Sequence, residues 1–267
     1  MQSPFDIMAD TYDANFTNTS IGVLQRQQVW QSLNGLLKSY QRPVNILEIN
    51  CGTGEDALTL SRGGHAVTAT DGSARMIEKA IQKAAVAGVG NICFRVCRFD
   101  QLHQDLQGKQ FDLIISNFGG LNCIDAKELT KLGQQLHALL QDDGKLFLVL
   151  MTRACIWEIF FYLFKGKPRT AFRRKSNSVV FQSGDTRMPI FYYSPSILKK
   201  IFRHGYRYLL SYPVGLFVPP SYLQRTFENR KRWLRTLVQL DKMLCTNPAF
   251  ANLSDHFCIL FQKNGSL

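Results

Sequence analysis

An apolar run, Ile46-Leu47-Glu48-Ile49, stops at Asn50-Cys51-Gly52-Thr53-Gly54, and nineteen residues past Gly52 a carboxylate, Asp71, closes the next apolar run. A helix pattern lies between the two. A strand that ends in a small-residue loop, feeds a helix and returns as a second strand is a βαβ unit, and it commits the chain to an open α/β sheet. Glycines in the loop let the backbone approach a ligand closely. A carboxylate at the tip of the second strand can accept hydrogen bonds from both hydroxyls of a ribose. The unit therefore reads as nucleoside-binding.

The loop lacks the G-x-G-x-x-G spacing that seats a pyrophosphate on a helix N-terminus. Glu48 before the turn, and Glu55 and Asp56 after it, would repel a pyrophosphate and tolerate a cation. The segment resembles motif I of the class I S-adenosylmethionine-dependent methyltransferases, [DE]-x-G-x-G-x-G. Asn50 and Cys51 replace the first Gly and the residue after it, and Asn tolerates left-handed backbone. The resemblance implies S-adenosylmethionine, a sulfonium without phosphate, as cofactor. It also implies a Rossmann-like, doubly wound, seven-stranded, mostly parallel α/β sheet with an antiparallel last strand, and methyl transfer as the activity.

Further segments carry the resemblance. Glu48, Asn50, Cys51, Gly52, Thr53 and Gly54 supply the loop, and Asp71 and Gly72 the ribose end. Ser73 and Met76 open the next helix, where the family packs an apolar side chain against adenine. Phe99, Asp100 and Gln101 follow a third strand, where an acidic residue meets the adenine amino group. Asn117 and Phe118 end the fourth strand. Phe5-Asp6 and Tyr12-Asp13 resemble the cofactor lid of the small-molecule branch. The resemblance is close over 5–152 and holds in outline beyond. It implies a single domain over 1–267: a helical lid (1–43), a cofactor-binding core (44–152), a cover insertion with helix and hairpin (153–194), and a C-terminal part of the sheet (195–267) with a helical insertion at 216–250.

Periodicity predicts helices over 20–40, 54–62, 73–87, 126–140, 156–164, 195–204 and 221–245. It predicts strands over 44–50, 66–70, 91–96, 111–117, 145–152, 206–214 and 256–262, with a hairpin of 178–182 and 187–193. A spanning helix needs about 20 apolar residues, and no run approaches that. Met1-Gln2-Ser3-Pro4 shows no basic start with an apolar stretch, so a cytoplasmic protein is expected. The seven cysteines include no C-x-x-C, and no metal site is expected.

Charge divides the chain. Residues 1–150 carry 13 Lys/Arg against 15 Asp/Glu, whereas 151–267 carry 19 against 5. In this fold the second half covers the substrate, so its basicity bears on the acceptor or on what carries it. Ligands of open α/β sheets bind beyond the carboxyl ends of the strands. That rule selects Asn117–Asn122, Pro219–Tyr222 and Ser254-Asp255-His256. His256 beside Asp255 is the candidate general base. Asn122, Trp157, Tyr192, Tyr193 and Tyr222 are the candidate acceptor contacts. The aromatic helix 156–164 and the cluster Lys165, Lys167, Arg169, Arg173, Arg174 and Lys175 suit a small, apolar, anionic or membrane-associated acceptor, with peripheral association to the inner face of an anionic membrane. The alternative is an RNA-modifying enzyme that uses the basic half. Asn117-Phe118-Gly119-Gly120 lacks the [DNS]-P-P-[YF] of enzymes that methylate base nitrogens, which makes nucleic acid the weaker expectation.

Overall fold

The computed structural model describes residues 3–176, 178–183, 186–227, 230–244 and 247–265. Its strands are β1 (Asn45–Ile49), β2 (Ala66–Asp71), β3 (Ile92–Val96), β4 (Phe111–Ser116), β5 (Leu140–Met151), β6 (Val179–Ser183), β7 (Thr186–Ile190), β8 (Tyr206–Val214) and β9 (His256–Lys263). Seven form one sheet in the order β3-β2-β1-β4-β5-β9-β8, and β6 and β7 form a separate hairpin. β3 to β5 run parallel, while β9 is antiparallel to both β5 and β8. The start of β9 therefore lies at the same sheet edge as the carboxyl ends of the parallel strands. The two termini that matter, Met151 and His256, are register partners.

Every residue of β4 is buried, as expected for a central strand covered on both faces. The covering helices carry apolar stripes. α2 (Ser20–Lys38), α3 (Glu55–Arg62) and α4 (Ala74–Val86) pack Val29, Leu33, Ala57, Leu60 and Ile77 against one face. α5 (Leu102–Asp105), α6 (Ala126–Leu139) and α9 (Pro195–Ile201) pack Leu102, Leu129, Leu136 and Leu198 against the other. Caps fix where these helices begin. Asp125 Oδ1 accepts from Glu128 N while Glu128 Oε2 accepts from Asp125 N, a reciprocal capping box. Ser73 and Ser194 cap α4 and α9 one way only, each hydroxyl accepting from the backbone N–H of Met76 or Ile197.

Two layers close over the sheet edge. α1 (Pro4–Met8) comes from the start of the chain. α7 (Ile156–Phe164), α8 (Pro168–Ala171) and the β6–β7 hairpin come from the segment after β5. α1 meets β7, so the two layers join. Within the segment expected as a lid (1–43), residues 3–17 lie over the edge, and α2 packs its apolar stripe on the sheet. The helix expected over 221–245 is interrupted. A 3-10 turn (Ser221–Leu223) leads into α10 (Gln224–Phe227), α11 (Lys231–Leu244) follows, and 228–229 lie outside the described residues. β5 starts earlier than expected because Leu140 pairs with Phe111 ahead of a register shift. The hairpin turn at 184–185 lies outside the described residues. No helix among the described residues is long and apolar enough to cross a membrane.

Candidate functional site

The loop after β1 is left-handed at Asn50 (φ 51°), Gly52 (φ 53°) and Gly54 (φ 78°). At Gly54 a side chain is also sterically barred, since a Cβ there would sit 2.9 Å from that of Ala80 on α4. Asn50 gains from having a side chain. Its Nδ2 donates to Asn117 O (2.9 Å) and its Oδ1 accepts from Ser116 Oγ (2.6 Å), which ties the loop to the end of β4. Asp71 ties the loop to β2: Oδ2 accepts from Gly52 N and Oδ1 from Ser73 N, both at 2.9 Å. Each carboxylate oxygen keeps a second lone pair, and burial pushes the carboxyl pKa above its ordinary value.

These groups line one end of a cavity of about 1100 Å³. Tyr12, Asn50, Gly52, Asp71, Gly72, Met76, Phe99 and Asp100 all border it. Arg26 borders it too. It pairs with Asp56, which also accepts from Trp30 Nε1 and Asn117 Nδ2 (2.7 Å each), and its Nε is buried without a partner. Burial alone would raise the Asp56 pKa, but the Arg26 charge outweighs it and holds the carboxyl below its usual range. Sequence reading missed Arg26. Its only signal is a cation one helical turn before Trp30 on the helix face turned toward Asp56.

Phe118 (φ 43°) marks the middle of the cavity. Left-handed backbone is costly for a bulky residue. Asn117 Oδ1 holds the turn by accepting from Phe118 N at 3.0 Å. The ring lies between the Arg26 guanidinium (5.2 Å from its centroid) and the His256 ring (5.4 Å, edge to face). His256 Nδ1 stands 3.1 Å from Asp255 Oδ2, off the line of a full hydrogen bond. His256 borders the cavity.

Behind the histidine is a buried charge network. Arg174 Nη2 donates to Asp255 Oδ1 (2.7 Å) and its Nε to Glu158 Oε2 (2.9 Å). Arg173 Nε donates to Glu158 Oε1 (2.6 Å) and Tyr222 Oη to Glu158 Oε2 (3.0 Å). Gln25 Nε2 reaches Asp255 Oδ2 at 3.1 Å. Burial by itself would raise the Asp255 pKa, but the charges of His256 and Arg174 hold it well below the usual carboxylate range. Burial, reinforced by Glu158, pushes the Tyr222 phenol up, and burial does the same at Tyr192. It pushes the Cys123 thiol up to about 11. These three cavity groups hold their protons at neutral pH.

Nine expected site residues stand outside this lining. Glu48 and Cys51 are buried beneath the loop. Thr53 Oγ1 donates to Asp13 Oδ1 (2.6 Å) and fastens the N-terminal segment. Gly54 packs on α4, and Asn117 spends its polar atoms on Asp56 and the turn. Gln101 faces away at the start of α5. Asn122, fully buried, braces Met151 N (2.9 Å) and Phe191 O (2.6 Å). Tyr193 Oη donates to Ile124 O at 2.6 Å within the core. Trp157 donates to Phe217 O and packs edge to face on Phe227, 5.6 Å between centroids. Tyr192 and Tyr222 do border the cavity.

Burial, then the nearby Asp56, push Glu48 well above the ordinary carboxyl range, and its Oε2 has no partner. A neutral amide is a close replacement for a carboxyl that favours its protonated form. Glu48→Gln is expected to keep or raise the melting temperature. It should change S-adenosylmethionine affinity by less than about threefold, the equivalent of roughly 0.6 kcal/mol. Thermal melts and calorimetry check both.

Residues 46–144 match the family model described as "Methyltransferase domain". The tRNA 5-carboxymethoxyuridine methyltransferase of Escherichia coli (strain K12) is 31% identical over 113 residues, 42% of this chain and 43% of that protein. The match thus spans less than half the length of that relative. The CcbJ methyltransferase from Streptomyces caelestis superposes with a TM-score of 0.62 over 97% of this chain and 96% of its own, at 14% identity. Magnesium protoporphyrin IX methyltransferase (ChlM) from Synechocystis PCC 6803, solved with bound SAH, gives 0.59 over 91% and 85%, at 15% identity. At these identities the two structures share the fold.

Proposed function

We propose that this chain, which carries a methyltransferase domain over residues 46–144 on the class I methyltransferase fold, moves a methyl group from S-adenosylmethionine to a small apolar acceptor bearing an anionic group. One observation carries the reading. A single cavity has an open carboxylate, Asp71, at one end and a histidine backed by an ionised aspartate, His256–Asp255, at the other. Pockets for one ligand run to about 300–1,000 Å³, so about 1100 Å³ suits two ligands meeting end to end.

The residues present fit the cofactor. The free lone pairs of Asp71 suit two ribose hydroxyls. Met76 and Phe99 offer apolar surface for adenine. The unpartnered Nε of Arg26 suits a carboxylate. Bound there, S-adenosylmethionine supplies a methyl group already activated by its sulfonium. The protein then has to align the acceptor and exclude water. Phe118 stands between the two halves, its ring nearly perpendicular to that of His256. His256 Nε2 takes the acceptor's proton, and Asp255 faces the imidazolium that forms. Asp255 stays charged throughout because Arg174 holds it so.

The acceptor half is apolar along Ile124, Met151, Phe181, Met188 and Ile190. Arg173 borders the same space, and its hydrogen bonds to Glu158 use Nε and Nη2. That guanidinium suits a carboxylate or phosphate on an otherwise apolar body. The name of the Escherichia coli relative favours a second reading, an acceptor within tRNA.

The test supplies methyl-labelled S-adenosylmethionine with an organic-soluble metabolite extract in one arm and bulk tRNA in the other. Label is expected in the organic phase, and label confined to RNA overturns the small-acceptor reading. His256→Gln is expected to lower turnover about 100-fold, the low end for loss of a general base, with cofactor affinity unchanged by calorimetry. Full turnover in this variant removes the histidine from the chemistry.

A further inference from the structure

α7 is apolar around its whole circumference apart from Glu158, and Glu158 is buried and paired with Arg173 and Arg174. The inner side is accounted for, since Trp157 and Phe161 pack on the satellite core of Ile21, Val218, Leu223, Phe227 and Leu234. The outer side is not. Phe160 is 58% exposed, Leu163 42%, Phe164 90%, and Phe172, just beyond α8, 42%. A large apolar group of this kind on the surface of a folded chain marks an interaction site.

The surrounding charge is of one sign. Residues 159–184 hold six Lys/Arg and no Asp/Glu. Arg173 pairs with Glu158, and Arg174 with both Glu158 and Asp255. Lys165, Lys167, Arg169 and Lys175 enter no ion pair among the described residues, and all four are exposed. Two of them lie over the aromatic rings instead, Lys165 Nζ 4.2 Å from the Phe161 centroid and Lys175 Nζ 4.9 Å from that of Phe172. The patch adjoins the cavity. Tyr162 on α7, Arg173 next to Phe172, and Val180 on the hairpin (64% exposed) are all part of its lining.

We propose that α7, the loop 165–167 and α8 form an interfacial foot that docks the protein on an anionic lipid surface. Exposed Phe and Leu at the tip of a short helix, flanked by unpaired Lys and Arg, are what a headgroup layer receives: apolar side chains in the acyl boundary and ammonium groups among phosphates. The helix is far too short to span. A nucleic-acid face is the less suitable match because Leu163 and Val180 cannot stack on bases, and the exposed Phe rings lie with aliphatic neighbours. Docking this way places the rim of the acceptor cavity at the lipid surface, where an apolar acceptor with an anionic head is found. That last step rests on the function proposed above, whereas the docking itself does not.

The test is flotation of the full chain with vesicles of phosphatidylglycerol and phosphatidylcholine, and with phosphatidylcholine alone, at low and raised salt. Binding is expected to the anionic vesicles, weakening with salt. A Phe160→Ser/Phe164→Ser pair is expected to weaken it at least about tenfold through lost apolar burial, and Lys165→Gln/Lys167→Gln/Arg169→Gln to remove the preference for anionic lipid. Both variants should bind S-adenosylmethionine as the parent does by calorimetry, which separates loss of docking from loss of fold or of the cofactor site. No flotation with anionic vesicles, undiminished flotation of the Phe variant, or retention on bulk tRNA without retention on vesicles each overturns the proposal.

Discussion

Asp71→Ala is expected to weaken S-adenosylmethionine binding by about 10²–10⁴-fold. Hydrogen bonds to a charged group contribute about 1.5–3 kcal/mol each. Two bonds to the ribose account for about 3–6 kcal/mol, which converts to that range. The same change releases Gly52 N and Ser73 N, the two donors that hold the loop and the start of α4 against β2. Asp71→Asn separates the two losses. The amide keeps one acceptor oxygen and turns the other position into a donor that opposes a backbone N–H. Its affinity is expected between those of the parent and the alanine variant. Calorimetric titration with cofactor and with its demethylated product measures all three proteins, and an unchanged affinity for Asp71→Ala would remove this residue from the ribose site.

Arg174→Ala is expected to cost about 3–5 kcal/mol of folding stability, the usual result of removing one partner from a buried ion pair. Arg174 is 4% exposed, Glu158 1% and Asp255 2%. Deleting the guanidinium leaves two buried carboxylates, one with Arg173 and Tyr222 still beside it and the other with only His256 and Gln25. The pH dependence is fixed in sign. In the parent, the Asp255 pKa lies well below the unfolded value of 3.8. Its contribution to stability is therefore complete above that value and is lost as pH falls through the depressed folded value. The variant lacks the share of this contribution that comes from the Arg174 charge and keeps the share that comes from His256. The gap between the two proteins in urea unfolding should be widest at neutral pH and should narrow as pH drops below 3.8. A gap that is flat with pH contradicts the charge-pair account and leaves lost packing as the cause.

The cofactor end could be read from the sequence because its parts are local. The loop, the carboxylate and the adenine wall each follow a strand in order, and strands alternating with helices leave few topologies for the sheet. Even the departure at Asn50 could be judged from the residue alone. The acceptor end is assembled from remote pieces. Arg174 meets Asp255 across 81 residues, and Gln25 meets the same carboxylate across 230. No periodicity announces such pairs. Trp157 illustrates the resulting error. An aromatic side chain on a cover helix is a natural wall for a substrate, yet its indole N–H found the carbonyl of Phe217, and the ring turned toward the satellite core. Phe161, one turn on, packs on the same core, and Tyr162 beside it faces the cavity instead. Tyr193 went the same way as Trp157 while its neighbour Tyr192 did not, because successive residues of extended chain point to opposite sides.

The N-terminal segment is fastened to α4 at three places. Asp6 Oδ1 accepts from Ser73 Oγ at 2.5 Å, Asp10 pairs with Lys79 at 2.7 Å, and Asp13 pairs with Lys83 at 2.7 Å. All three are spaced along one strap that also carries Tyr12 and covers the cavity. The two ion pairs, Asp10–Lys79 and Asp13–Lys83, are worth about 0–1 kcal/mol each, and the Asp6 hydrogen bond about 0.5–1.5 kcal/mol, so no single one commits the strap to its place. They can let go one at a time, the way the studs of a press-stud row open, and each release leaves the sheet and the buried Arg174 clasp untouched.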